Sequence, residues 1–174
     1  RRALFADPAI VRILEAAIVR VRDGHPFDIE AQVILPDHIH AIWSLPEGDA
    51  DYSKRWRLIK EKFTREYGRR FSLPPANASR RAKGEQGIWQ RRFWEHLISG
   101  EADFAAHLDY IHLNPVRHGL VAAPRDWPHS TFGEWVSRGA YESAWGRHAA
   151  QEIPAHTQIL ADLAAVADAL VGEE

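Results

Sequence analysis

The hydrophobic period of this chain changes within a few residues, and that change restricts its possible folds more than any other feature. Ile10, Val11, Leu14, Ala17, Ile18 and Val21 fall on one helical stripe, behind Asp7 at a capping position and Pro8 at the first helical position. A helix to about Arg22 is expected, stopped by Gly24 and Pro26. From Phe27 the period becomes two, with Phe27, Ile29, Ala31, Val33 and Leu35 alternating with Asp28, Glu30, Gln32 and Ile34, as on a strand with one buried face. Pro36-Asp37 makes a turn, and His38 to Leu45 alternates again, giving an antiparallel strand with His38, His40, Ile42 and Ser44 on one face.

The later segments extend this helix-and-hairpin start. A basic helix from about Ser53 to Tyr67 carries Trp56, Ile59, Phe63 and Tyr67 at three- and four-residue steps. Residues 72–87, rich in Pro, Gly, Ser and basic side chains, read as a loop, and the aromatic run Ile88 to Ile98 favours another strand. Ser99 caps a helix from about Glu101, with Phe104, Leu108 and Ile111 as its apolar stripe and Pro115 as its stop. Ile159, Leu160, Leu163, Val166 and Leu170 describe a last amphipathic helix. The order helix, hairpin, helix, strand, helix predicts an α+β, ferredoxin-like (split βαβ) antiparallel sheet with helices on one face. Its leading strand is expected to be missing from this chain, which would leave the sheet a vacant position beside a central strand that truncation or a neighbouring chain explains.

Composition restricts the chemistry. The 174 residues, 45% hydrophobic, suffice for one core, so one domain with a tail is expected. With no cysteine, disulfides and thiolate metal sites are excluded, and any metal must be held by His, Asn, Gln or carboxylates. The absence of methionine, even at position one, suggests a start downstream of the natural one. No apolar run is long enough to cross a bilayer, so no membrane partner is expected. The net charge of −2 conceals a basic stretch from Lys54 to Arg92 and an acidic end from Glu142 to Glu174. A basic middle suits a polyanion.

Two spacings bear on function. On a strand His38 and His40 point the same way, and on a helix Tyr110 and Asn114 share a face. Two imidazoles and an amide oxygen can hold a divalent ion, Mg or Mn, with open positions for phosphate oxygens. A tyrosine beside that ion can attack a phosphodiester to give a covalent phosphotyrosine. Its proton must leave, since a free phenol has a pKa of about 10; the ion or His107, three residues before Tyr110, are candidates to assist. His112 points away from the Tyr110 face and, like His96, reads as a structural residue. Each piece alone is an ordinary arrangement, and Asn before Pro is by default a helix end. Their combination with a basic helix in one short chain favours DNA nicking and joining.

Four runs carry a resemblance: Pro36-Asp37-His38-Ile39-His40-Ala41-Ile42-Trp43, Trp56-Arg57-Leu58-Ile59-Lys60, Ile88-Trp89-Gln90-Arg91-Arg92-Phe93-Trp94-Glu95-His96, and Tyr110-Ile111-His112-Leu113-Asn114-Pro115-Val116-Arg117-His118-Gly119-Leu120-Val121. Together they resemble the REP-associated tyrosine transposases, bacterial relatives of the single-tyrosine HUH transposases. The resemblance spans 1–141, leaving 142–174 as an acidic extension with an amphipathic helix. It implies a ferredoxin-like HUH domain with His38 and His40 as the histidine pair, Tyr110 as nucleophile and Asn114 as third metal ligand. It also implies cleavage of single-stranded DNA through a 5′-phosphotyrosine, recognition of repetitive extragenic palindromes folded as hairpins, and a cytoplasmic, nucleoid-associated bacterial protein, monomeric or homodimeric.

Lys54, Arg55, Arg57, Lys60, Trp89, Arg91 and Arg92 are the residues expected to meet single-stranded or hairpin DNA, the cations on phosphates and an aromatic ring on an unpaired base. The alternative from another class is a catalytically silent hairpin-binding module. A metal-dependent hydrolase of small phosphoesters ranks last, because the basic surface exceeds what a small substrate needs.

Overall fold

The structure, a computed structural model, describes residues 2–76, 78–82, 86–90 and 94–147. Asp7 opens helix α1 (Pro8–Gly24) by accepting the Ala9 N–H at 2.8 Å, with Pro8 behind it where no N–H is needed. The expected stripe is buried, and Ile13 joins it. Strands β1 (Asp28–Ile34) and β2 (Ile39–Ser44) pair in a two-stranded antiparallel sheet. The chain is therefore of mixed helix-and-sheet class, as its periods predict.

Helix α2 (Tyr52–Arg70) is capped by Asp51, which accepts the Lys54 N–H at 3.0 Å. A short α3 (Ala78–Ala82) follows, then α4 (Gly100–Arg117) and α5 (Phe132–Ser137). Two of the sequence expectations for α4 change. Ser99 occupies the capping position, yet its side chain makes no cap bond; its N–H instead donates to Asp103 at 2.7 Å. Pro115 does not stop the helix, which continues to Arg117, and the lost N–H is accommodated in the last turn.

The described residues fall into two compact units. In the unit formed by Arg1–Asp28 and Ser44–Arg91, α1 packs on α2, and Phe5, Phe63 and Trp89 form a ring cluster with centroids 5.0–6.0 Å apart. The strand expected over Ile88 to Ile98 is absent among the described residues there, 86–90 and 94–98 being irregular. Trp89 explains part of this: its ring plugs the Phe5–Phe63 cluster and its Nε1–H donates to Thr64 Oγ1 at 3.0 Å, so it serves packing that a pleated strand does not.

In the second unit, Ala31, Val33 and Leu35 of and after β1 and Ile42 of β2 are buried with Leu108 and Ile111 of α4. Each large aliphatic side chain buried there contributes about 1.5–3 kcal/mol. Residues 129–131 line the other edge of β1: Ile34 N–H donates to His129 O at 2.9 Å, Thr131 N–H to Gln32 O at 3.0 Å, and Val33 bridges Ser130 antiparallel. The amphipathic helix expected over Ile159 to Leu170 lies outside the described residues. No helix among the described residues is long and apolar enough to cross a membrane.

Candidate active site

The turn after β1 is closed by the Leu35 N–H donating to His38 O at 2.8 Å, which places His38 just before β2 rather than within it. His40 lies on β2 with the same parity as Ile42, and Ile42 packs with Leu108 and Ile111 of α4. The histidine-bearing face of β2 is therefore the face on which α4 lies, and that register brings imidazole and phenol together. The His38 and His40 rings are 4.9 Å apart at 87°, and His40 meets the Tyr110 ring at 5.2 Å and 82°.

Nitrogen chemistry at this corner is partly specified. His38 Nδ1 lies 2.6 Å from Asp37 Oδ1, so a neutral ring donates Nδ1–H to the carboxylate and keeps its lone pair on Nε2. A carboxylate behind an imidazole is the usual support of a metal-binding histidine. Asn114 is buried one turn after Tyr110, and its Nδ2 donates to the Tyr110 carbonyl at 3.2 Å, turning the amide oxygen to the other side of the carboxamide. Two imidazoles and an amide oxygen form a donor set compatible with a divalent ion.

Two further groups at this corner escaped the sequence reading. The Arg117 guanidinium carbon stands 5.3 Å from the Tyr110 ring centroid, with its Nη1 buried and lacking a hydrogen-bond partner, and the His118 ring lies 5.4 Å from His38. Both belong to the run beginning at Tyr110, seven and eight residues on, and the helical spacing of Arg117 from Tyr110 was the available signal.

His107 does not join this group. It is buried, with Nδ1 2.9 Å from Asp103, so the assisting role expected of it finds no support in its contacts. His112 is structural, as its periodicity predicts: fully buried, it reaches Thr131 Oγ1 through Nε2 at 3.0 Å, and burial pushes its pKa down to about 4.

The residues expected to meet DNA have diverse surroundings. Lys54 is exposed, and Arg57 is exposed with Glu61 at 4.0 Å. Arg55 is 3% exposed and donates to Asp49 Oδ2 and Pro26 O, both at 2.7 Å, and to Asp51 O at 3.0 Å. That hydrogen bond to Arg55 holds the Asp49 carboxyl well below its ordinary range, at about 2. Arg55 thus fastens the start of α2. The Lys60 ammonium lies 5.9 Å from the Trp89 ring centroid, and burial lowers its pKa. Arg91 and Arg92 lie outside the described residues.

No family model matches the chain. Individual relatives do. A REP-associated tyrosine transposase of Escherichia coli (strain K12) is 46% identical over 134 residues, 77% of this chain and 72% of that protein. A Haemophilus influenzae protein carrying the same family name is 47% identical over 124 residues, 71% of this chain and 69% of the relative. Among solved structures, a REP-associated tyrosine transposase bound to a REP hairpin superposes with a TM-score of 0.69 at 41% identity, covering 89% of this chain and 83% of the other. At this identity and coverage, the chain belongs to the REP-associated tyrosine transposases.

Proposed function

We propose that the chain is a metal-dependent, single-strand-specific DNA endonuclease and strand transferase acting on REP-type hairpins. The observation that carries this reading is the run of ring contacts that sets His38 4.9 Å from His40 and His40 5.2 Å from the Tyr110 ring. Tyr110 is the nucleophile: its phenolic oxygen bonds to phosphorus as its proton is released. The P–O3′ bond breaks, a 3′-hydroxyl leaves after taking up a proton, and the 5′-phosphate stays on the tyrosine. Attack by another 3′-hydroxyl on that ester reverses the step and joins strands. Arg117 puts positive charge beside the phenol, where a phosphate must sit for in-line attack.

His38, His40 and the amide oxygen of Asn114 would hold the divalent ion, Mg or Mn. When bound it neutralises charge developing on the phosphate oxygens. Asp37 keeps the His38 ring oriented with its basic nitrogen on the far side. Lys54, Arg57 and Lys60, together with Arg91 and Arg92, supply phosphate contacts. Cytoplasmic, nucleoid-associated action in a bacterium follows from this reading. We also read β1, β2 and their helices as a ferredoxin-like HUH layout spanning 1–141.

The test is incubation of purified protein with a labelled REP-type hairpin oligonucleotide and Mg²⁺ or Mn²⁺. A denaturation-resistant protein–DNA adduct is expected from the parent chain, absent in Tyr110→Phe and abolished by chelator. Hairpin binding with no adduct under either metal would instead select the silent binding module.

A further inference from the structure

Outside the tyrosine site, His96, Asp103 and His107 place three ligand-type atoms within 4.8 Å of one another, a grouping found nowhere else among the described residues. Asp103 and His107 are four apart on α4 and therefore stack on one face. His96 comes from the segment just before the helix, and the Ser99 N–H donating to Asp103 at 2.7 Å holds that segment against the first turn. The carboxylate then faces both rings, with Oδ2 2.8 Å from His96 Nε2 and Oδ1 2.9 Å from His107 Nδ1. The rings are nearly parallel, 4.6 Å apart at 9°.

The groups are poised as ligands. The Ser99 N–H and then His96 hold the Asp103 carboxyl below the usual carboxylate range, so it is anionic at neutral pH. His107 is 6% exposed; its Nδ1 lies 2.9 Å from both the Asp103 backbone carbonyl and Oδ1, two acceptors, so a neutral ring carries its proton on Nδ1 and keeps the lone pair on Nε2, which is buried without a hydrogen-bond partner. Ligands about 2.0–2.2 Å from a tetrahedral ion stand roughly 3.3 Å apart. The 2.8 Å between His96 Nε2 and Asp103 Oδ2 is near that, the ligand-type atoms of all three residues lie within 4.8 Å, and the side chain of His96, 38% exposed, has room to move in for the rest. Two nitrogens and one oxygen favour zinc, cobalt or nickel over magnesium.

We propose that His96, Asp103 and His107 bind a divalent transition-metal ion, zinc being the best match, at a site separate from His38, His40 and Asn114. The ion fastens the segment before α4 to the first turns of the helix that carries Tyr110. This inference does not depend on the nuclease reading.

The test uses the full chain carrying His38→Ala and His40→Ala, so that the other imidazole pair cannot contribute, stripped of metal and titrated with Co²⁺ as a spectroscopic probe for the zinc-type site. Visible d–d absorption saturating at one equivalent, displaced by Zn²⁺ and not by Mg²⁺, is expected. Adding His96→Ala, an exposed position whose truncation leaves the core intact, is expected to weaken Co²⁺ binding by at least the roughly 10–100-fold that loss of a mere outer-shell partner costs. Circular dichroism of each metal-free variant checks that the fold persists. Absence of the bands in the His38→Ala/His40→Ala chain, or Co²⁺ affinity unmoved by His96→Ala, overturns the proposal.

Discussion

His112 shows how one side chain sets a pH dependence. It sits fully buried on α4 with Nε2 donating to Thr131 Oγ1, whose hydroxyl in turn lies 3.3 Å from Gln32 O, and its Nδ1 lacks a hydrogen-bond partner. Protonation would bury a charge with no anion to meet it, hence the fall from 6.5 to about 4. Between those values the unfolded chain binds the proton and the folded chain does not, so stability rises with pH. The contribution is fully present above about pH 6.5 and is lost as pH falls toward 4; a shift of this size corresponds to on the order of 3 kcal/mol. Urea midpoints measured between pH 7.5 and pH 4.5 should therefore fall steeply for the parent chain and less steeply for His112→Gln. Equal slopes would show that other groups govern acid stability. The same residue was legible in sequence as structural because it lies two positions from Tyr110 on a helix, on another face. Arg117 was harder to place: helical spacing puts it on the Tyr110 face, but spacing alone does not say that a guanidinium lies over a ring rather than in water.

Helix α4 carries the proposed nucleophile, and its C-terminal end is specified by backbone geometry. Gly119 takes φ +66°, its N–H donates to Val116 O at 2.9 Å, and the Leu120 N–H donates to Pro115 O at 2.9 Å. These are the paired bonds of a Schellman motif, in which the left-handed residue is almost always glycine. A Cβ at Gly119 meets nothing within 4 Å, so alanine there costs only its left-handed conformation, about 1–2 kcal/mol. Thermal unfolding of Gly119→Ala should fall by roughly 2–8 °C, and Gly119→Asn by less. A loss as large for Asn as for Ala would point to a cause other than backbone conformation. Elements with a single clear period, α1, β1, β2 and α2, were legible because one buried face dictates each. The aromatic run from Ile88 was not: Trp and Phe suit a strand and a packing plug equally, and only the Phe5–Phe63 cluster shows that Trp89 is the latter. The His96–Asp103–His107 group escaped for a related reason, since its members join across a segment boundary that no helical or strand spacing encodes.

Over the whole molecule the charge of −2 is small, yet the cations are concentrated on α2 and the residues after it. A polyanion responds to such a distribution, not to the net value, because each neutralised phosphate releases counterions. Not every cation on α2 is available for this. Arg65 is 2.6 Å from Glu61, Arg70 is 2.6 Å from Glu66, and Arg55 is buried against Asp49, whereas Lys54 is exposed and Arg57 has only a loose partner at 4.0 Å. On the proposed DNA-binding role, the variant Lys54→Gln/Arg57→Gln should bind a REP-type hairpin more weakly at every salt concentration. The slope of log affinity against log salt should shrink by roughly 0.7–0.9 for each phosphate that the variant no longer neutralises. Neither residue belongs to the tyrosine cluster, so the adduct formed at saturating DNA should be unchanged, separating binding from chemistry. Arg55→Gln should behave differently, lowering the unfolding temperature by releasing the start of α2, because its guanidinium holds Asp49, Pro26 and Asp51 together. A salt slope unmoved by the double variant would mean that the phosphates are met elsewhere and that the basic face of α2 is only a solvated surface.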